Sequence, residues 1–473
     1  MLREEFYIMS KLKQYESPLL EYLSVNSIGK HSLLEVSDQI RDENEISSIL
    51  EPYDLNEIIS EFGSPVFIIS ENTLRSQFKQ FRDTFTTSDI DTKIAYSYKT
   101  NYLPSVCSIL HEEGALAEVV SGMEYSLAKS LGVSPENIIF NGPHKTNSEL
   151  ETALQEGALV NIDNFEELNR IIQIVSKFKN PIGIGLRVNF IYDTNSWTKF
   201  GFNIENGDCQ KALEMISANS KLKLDTLHFH GGTYVMDPNI YKYGASKLLT
   251  IIREAKKLGL HPKSIDLGGG FPSGNQLKPE FNGQQKIPNQ KISYTPYAER
   301  ILNQIKKEKK LFEGKPSLIL EPGRAIIDSP CFLACTIISK KEILNQGTAV
   351  VVDAGVNILP TAYWYNHNVQ TPKEREEVVE NLHPVRIYGP LCMQIDVLRD
   401  RVLLPELEVG SPLLFSNVGA YCLTQSMQFI QTRPPVVLLG PNGPELIRRK
   451  EKWKDVFALD LVPKRLRQPG HEF

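Results

Sequence analysis

The 473-residue chain lacks any apolar run of membrane-spanning length; stretches such as Ala349 to Val352 and Val436 to Leu439 fall far short of the ~20 residues a bilayer helix needs. That excludes a helical membrane protein. Its cysteines are few for this length, namely Cys107, Cys209, Cys331, Cys335, Cys392 and Cys422. They form no C-x-x-C pair, so neither a zinc ribbon nor a disulfide framework is read, no metal is expected, and a reducing compartment fits. Positive charge is also in short supply. The formal net charge is -5 and no Lys/Arg run alternates with aromatics, so nucleic acid is not an expected partner. The opening residues MLREEFYIMSKLKQYESP carry acidic side chains and no apolar h-region, so no secretory signal is read there and a cytoplasmic protein is expected.

What is present is the composition of a globular enzyme, 41% apolar and 23% charged, with enough chain for two domains or one large barrel and a companion. From about residue 67, short β-branched runs alternate with segments of i, i+3, i+4 apolar spacing. The expected strands are 94–99, 116–121, 138–143, 159–163, 183–189, 227–232, 264–270 and 318–323. Between them lie helical segments such as TNSELETALQEG, where Thr146 and Glu149 read as a capping box, and KLLTIIREAKKLG, which ends in basic residues and a glycine. Eight such units are the count of a (β/α)8 barrel. An open doubly wound sheet competes, but the G-x-G-x-x-G turn it would more usually carry is missing. After Arg324 the pattern turns to strand-like runs, TAVVVDAG, VRIYGP, SPLLFSN and PPVVLLG, which read as a second, mainly β domain. The run PVFIIS (65–70) has no barrel partner and is expected to join it. The expected fold class is α/β, a TIM-type barrel plus a C-terminal β-sandwich or barrel-like domain. Its expected divisions are an extension and strand at 1–70, the barrel at 71–328 and the β domain at 329–473.

Unusual polar and glycine residues gather at the C-terminal ends of the barrel strands: Lys99, Glu118, His144, Arg187, His228, His230, Gly268 to Gly270, Glu321 and Arg324. In a barrel that rim builds the active site. Lys99, ending an apolar strand, is expected to lose water in the barrel mouth and so to have its pKa lowered toward nucleophilic use. GGGFP (268–272) could bring backbone N–H groups to a phosphate with no Cβ in the way, and EPGR (321–324) follows the next strand, so two phosphate-competent loops become neighbours.

The motifs AYSYKTN (95–101), SGMEYSLA (121–128), GLRVN (185–189), TKFGF (198–202), LHFHGG (227–232), DLGGGFP (266–272), EPGR (321–324), GPLC (389–392) and NVGAY (417–421) resemble, in order, those of the diaminopimelate and ornithine decarboxylase family. That resemblance implies a pyridoxal 5'-phosphate (PLP) enzyme, an amino-acid decarboxylase with a Schiff base at Lys99. It implies that His230 stacks on the pyridine ring, with His228 structural, and that Glu321 pairs with the pyridine nitrogen. Gly268, Gly269, Gly270, Arg324 and Thr233 would hold the phosphate, and Glu118 and Arg187 would line the cofactor site or pair with each other. Cys392 would be the acid that returns a proton to Cα, and Tyr421 would touch the cofactor, both reaching the lysine of the other subunit of a homodimer.

Two departures bear on the substrate. Family members that act on diaminopimelate carry an acidic residue directly after the cysteine, where this chain has Met393; they carry an arginine after D-A-G-x-N, where this chain has Pro360 and Thr361. Asp396 remains as an expected substrate-binding carboxylate beside Tyr421, and the aromatic run Tyr363, Trp364, Tyr365 suggests a larger or flatter group in the pocket. The expected substrate is therefore an amino acid or amino-acid conjugate of a specialised, secondary-metabolite or siderophore kind. The alternatives are an amino-acid racemase of the same fold and a non-catalytic, decarboxylase-like PLP-binding regulator.

Overall fold

The computed structural model describes residues 49–50, 53–192, 196–278, 292–344, 347–372 and 382–467. The sequence expectation for residues 1–48 lies outside them.

Eight parallel strands close into a barrel: β2 (Asp91–Ser97), β3 (Leu116–Val119), β4 (Ile138–Phe140), β5 (Leu159–Ile162), β6 (Ile182–Asn189), β8 (Leu222–His228), β9 (Ser264–Asp266) and β11 (Ser317–Leu320). Each pairs with the next in chain order, and β11 closes the ring on β2 through Leu320 opposite Ile94. A two-residue strand, β7 (Phe202–Asn203), adds to β6 outside the ring. These are the eight strands expected from periodicity, but most stop sooner. Lys99 and the three glycines belong to turns beyond the last ladder bond, whereas Glu118, Arg187 and His228 lie within their strands. Lys99 sits in a 3₁₀ turn, Tyr98–Thr100.

Local chemistry explains the helices between the strands. On Glu71–Phe85 the residues Leu74, Phe78, Phe81 and Phe85 recur at three and four positions and are fully buried, while Ser70 caps the first turn by accepting from Thr73 N. On Asn147–Glu156 the expected capping box forms, and Gly157 ends the helix in the left-handed region. Burial of the apolar stripes against the barrel is the main driving term, at about 1.5 to 3 kcal/mol for each large side chain.

The second sheet runs in the order β17 (Val397–Leu404), β16 (His383–Tyr388), β13 (Gly347–Val352), β12 (Cys331–Ile343), β1 (Val66–Ser70), β19 (Val436–Gly440), β20 (Gly443–Arg448), with β18 (Pro412–Ser416) on β12 and β15 (Val369–Gln370) on β18. PVFIIS thus supplies β1, antiparallel to β12 and parallel to β19. Its residues alternate: Phe67 and Ile69 enter the main core shared with the barrel, while Val66 and Ile68 pack under the helix Leu55–Phe62. A short ribbon, β10 (Gln276–Leu277) with β14 (Tyr365–Asn366), ties the segment after the glycine loop to the β domain. Among the described residues no helix is long and apolar enough to cross a membrane.

Candidate active site

The barrel mouth gathers charged groups that apolar walls would expel were they not paired. Lys99 Nζ donates to Glu118 Oε2 at 2.6 Å. The same carboxylate oxygen accepts from Ser97 Oγ at 2.5 Å, and Oε1 accepts from Asn141 Nδ2 at 3.0 Å. Burial pulls the Lys99 pKa down, as the sequence argument holds, but Glu118, Tyr421 and Glu321 outweigh it and raise the pKa instead. The expectation of a lowered pKa is therefore corrected. The amine is an ammonium stabilised by Glu118, and Glu118 is the group placed to take its proton.

Asn141 Nδ2 also donates to Glu321 Oε1 at 2.7 Å, and Asn161 Nδ2 donates to Asn141 Oδ1 at 2.8 Å, which fixes the orientation of the Asn141 amide. Glu321 is 2% exposed and converges with His228 and Asp266, whose ligand-type atoms lie within 4.8 Å of one another. Burial raises the Glu321 pKa, but His228 and Lys99 pull it below the usual carboxylate range. Asp266 moves the other way, raised by burial and by the charge of Glu321. In this pair the proton resides on Asp266 and the negative charge on Glu321. His228 is fully buried, 3.6 Å from Glu321 Oε2, and among the described residues neither of its ring nitrogens has a hydrogen-bond partner.

Glu118 and Arg187 do not pair with each other: Arg187 Nη1 lies 3.6 Å from Asp163 Oδ1, with its guanidinium over the Phe200 ring. His230 accepts from Gly232 N through Nδ1, and Trp197 stacks parallel on it at 5.3 Å and 4°. Burial, with Arg187 and Lys99, holds its pKa well below the ordinary value, so the imidazole is neutral.

At the other end of the mouth a Cβ at Gly269 would stand 2.5 Å from Glu321 O, and one at Gly270 (φ 91°) would run into Gly232 O. Only glycine lets these loops touch. Thr233, next to Gly232, is exposed. Arg324 Nη1 donates to Asp328 Oδ2 at 2.9 Å, and its guanidinium lies 4.6 Å from the Tyr365 ring, 5.3 Å from Tyr421 and 5.9 Å from Tyr234.

Three placements differ from expectation. Tyr421 reaches the barrel of its own chain, because the loop carrying it is sewn to the lysine turn: Tyr421 N donates to Thr100 O, Thr424 Oγ1 to Lys99 O, and Asn101 Nδ2 to Gly419 O. Asp396 is 2% exposed, its two oxygens accepting from Val356 N and Leu391 N, so it organises the loop of Cys392 rather than facing a substrate. His144 is exposed, whereas its neighbour Lys145 is buried in an ion pair with Glu167. Cys392 is exposed on the loop between β16 and β17, while the other five cysteines are buried. Of the aromatic run, Tyr363 and Trp364 are exposed and only Tyr365 turns inward. Sequence reasoning missed Asn141, Asp163 and Asp266; Asn141 and Asp266 follow the same strand-end rule that picked out Glu118.

Comparison with known proteins gives concordant results. Residues 71–328 match the family model described as pyridoxal-dependent decarboxylase, pyridoxal binding domain. The chain is 29% identical over 436 residues to the diaminopimelate decarboxylase of Methanocaldococcus jannaschii, covering 88% of this chain and 95% of the relative. It is 30% identical over 429 residues to that of Aquifex aeolicus, covering 87% and 95%. The crystal structure of the M. jannaschii enzyme in complex with L-lysine superposes with a TM-score of 0.79 at 28% identity, covering 88% of this chain and 96% of that one.

Proposed function

The chain belongs to the pyridoxal-dependent decarboxylases, and from that premise we propose that it removes the α-carboxylate of a specialised amino acid or amino-acid conjugate at Lys99. It is a PLP-dependent carboxy-lyase acting on an amino acid. When bound, the cofactor supplies an electron sink for the pair left on Cα as CO2 departs. The residues present fit it. Glu321 is an anionic carboxylate suited to a protonated ring nitrogen, His228 beside it has no hydrogen-bond partner among the described residues, and a Cβ at Gly269 or Gly270 would force apart the loops whose backbone would meet the phosphate.

In this reading Lys99 would hold the cofactor through its Nζ, and Glu118, which accepts from that Nζ, would take the ammonium proton. Glu321 would keep its charge against the ring nitrogen, and neutral His230 would offer a flat face to the ring. Gly268, Gly269, Gly270, Arg324 and Thr233 would hold the phosphate, and Arg187 would balance the acidic groups. Tyr421 would border the site, and Cys392 of a second copy of the chain would be the acid for Cα. The observation that carries the reading is the unbroken path Lys99–Glu118–Asn141–Glu321, which sets an ammonium at one end and the anionic Glu321 carboxylate at the other.

The substrate departs from diaminopimelate. Met393 offers no charge after Cys392, and Thr361 is buried with its hydroxyl on His367 and Cys422, so neither position supplies an ionic contact for a distal amine or carboxylate. CO2 release should be measured over diaminopimelate, lysine, ornithine, arginine and their acylated or citrylated conjugates, with Lys99→Ala as control. Release from a conjugate alone supports the proposal; efficient turnover of meso-diaminopimelate overturns the substrate assignment.

A further inference from the structure

Asp328 stands one helical turn after Arg324 and is 1% exposed. Its Oδ2 accepts from Ser273 Oγ at 2.5 Å, from Asn275 Nδ2 at 3.1 Å and from Arg324 Nη1 at 2.9 Å, while its Oδ1 accepts from Ala420 N at 2.8 Å. Asn275 continues through Nδ2 to Asn417 O at 2.7 Å. A buried carboxylate is costly unless it is paired and hydrogen-bonded, and these four donors engage both of its oxygens. They come from three segments: the loop that follows the glycines, the turn that carries Arg324, and the β-domain loop that carries Tyr421.

That last loop also bonds the lysine turn, through Tyr421 N to Thr100 O and Thr424 Oγ1 to Lys99 O. The anchor of the arginine and the support of Lys99 are thus one continuous hydrogen-bonded body. Asp328 engages the guanidinium through Nη1. Three tyrosine rings surround the rest of the group, so its remaining N–H donors are aimed rather than free to rotate.

We propose that Asp328 is a positioning residue: it orients Arg324 for the cofactor's phosphate and couples phosphate binding to the docking of the Gly419–Thr424 loop on the Lys99 turn. The inference rests on the reading that the phosphate lies at Arg324. A carboxylate that served only as a strut between domains would affect folding but would not distinguish a phosphorylated ligand from its dephosphorylated form.

The test uses cofactor-free full-length protein and equilibrium dialysis of PLP and of pyridoxal, with Arg324→Gln and Asp328→Asn beside the parent. Loss of one charge-assisted contact should weaken PLP by about tenfold or more and pyridoxal by less than about twofold. A normal PLP-to-pyridoxal preference in Arg324→Gln means that the phosphate lies elsewhere, and the inference falls with that reading. A collapsed preference in Arg324→Gln with an unchanged one in Asp328→Asn overturns the inference alone, as does a parallel loss of both ligands in Asp328→Asn. Should Asp328→Asn fail to fold, Ser273→Ala and Asn275→Ala each remove one donor to the carboxylate. They should lower the preference in the same direction, and an unchanged preference in both overturns the proposal.

Discussion

Asn141 donates to Glu321 Oε1 at 2.7 Å through the same amide nitrogen that donates to Glu118 Oε1 at 3.0 Å. One side chain thereby holds apart two acidic groups with different tasks, the partner of Lys99 and the anion of the ring end. Asn141→Asp would put a third carboxylate between them. The added charge should raise the pKa of Glu321, moving the acid limb of the kcat profile to higher pH and lowering kcat by about tenfold or more at neutral pH. An unshifted acid limb would show that Asn141 does not govern the ionisation of Glu321.

Glu118→Gln removes the main group that raises the Lys99 pKa and leaves burial, which lowers it. Acylation of Lys99 in the cofactor-free protein, followed by mass spectrometry, should then proceed faster between pH 8 and pH 9 than in the parent. A rate no faster than the parent's would mean that Glu118 does not set the protonation of the amine.

Cys392 is exposed, and in the proposed function it acts on the Lys99 site of a second copy of the chain. Lys99→Ala and Cys392→Ala should each be inactive. Mixed after dissociation in equal amounts, they should recover about a quarter of parental activity, because half of the randomly paired dimers carry one intact site of two. Absence of recovery, with mixed dimers demonstrated by mass, would place both groups in one chain.

Glu124 is buried and accepts from Val120 N at 2.7 Å. Burial, with a contribution from Glu118, pushes its pKa from 4.5 up to about 7. Between those values the folded state binds more protons than the unfolded one, so stability is fully present below pH 4.5 and declines as pH rises through about 7. Glu124→Gln keeps an acceptor for Val120 N and removes the titration. It should leave stability near the parental value at pH 5 and exceed it by up to about 3 kcal/mol at pH 8, read by urea denaturation at both pH values. An equal difference at the two pH values would rule out Glu124 as the titrating group.

The barrel was legible because its signals are local. Each strand is a short β-branched run, each intervening helix carries its own stripe and caps, and the β domain announced itself by losing helical period. Lys99, Glu118, Glu321, Arg324 and the three glycines stood out as polar or glycine residues at strand ends, where packing alone does not ask for them. Strand ends were overread because an apolar turn continues the strand's composition after its ladder has stopped, as at Tyr98. Asp396 was misread because a carboxylate two backbone N–H groups have claimed looks, in sequence, the same as one offered to a ligand.

The order of residues by itself determined the element types, the count of eight βα units and the set of reactive groups at one rim, since these depend on neighbours within a few positions. What the groups do to one another was decided by closure of the ring and the return of the chain to the β domain. Asn141 meets Glu321 across 180 residues and Asp328 meets Ala420 N across 92. The sign of the Lys99 shift, the charge on Glu321, the proton on Asp266 and the choice of its own barrel by Tyr421 all follow from such distant pairs. Electrostatic energies at 3 Å in an apolar mouth outweigh any local propensity, and only the fold sets those distances.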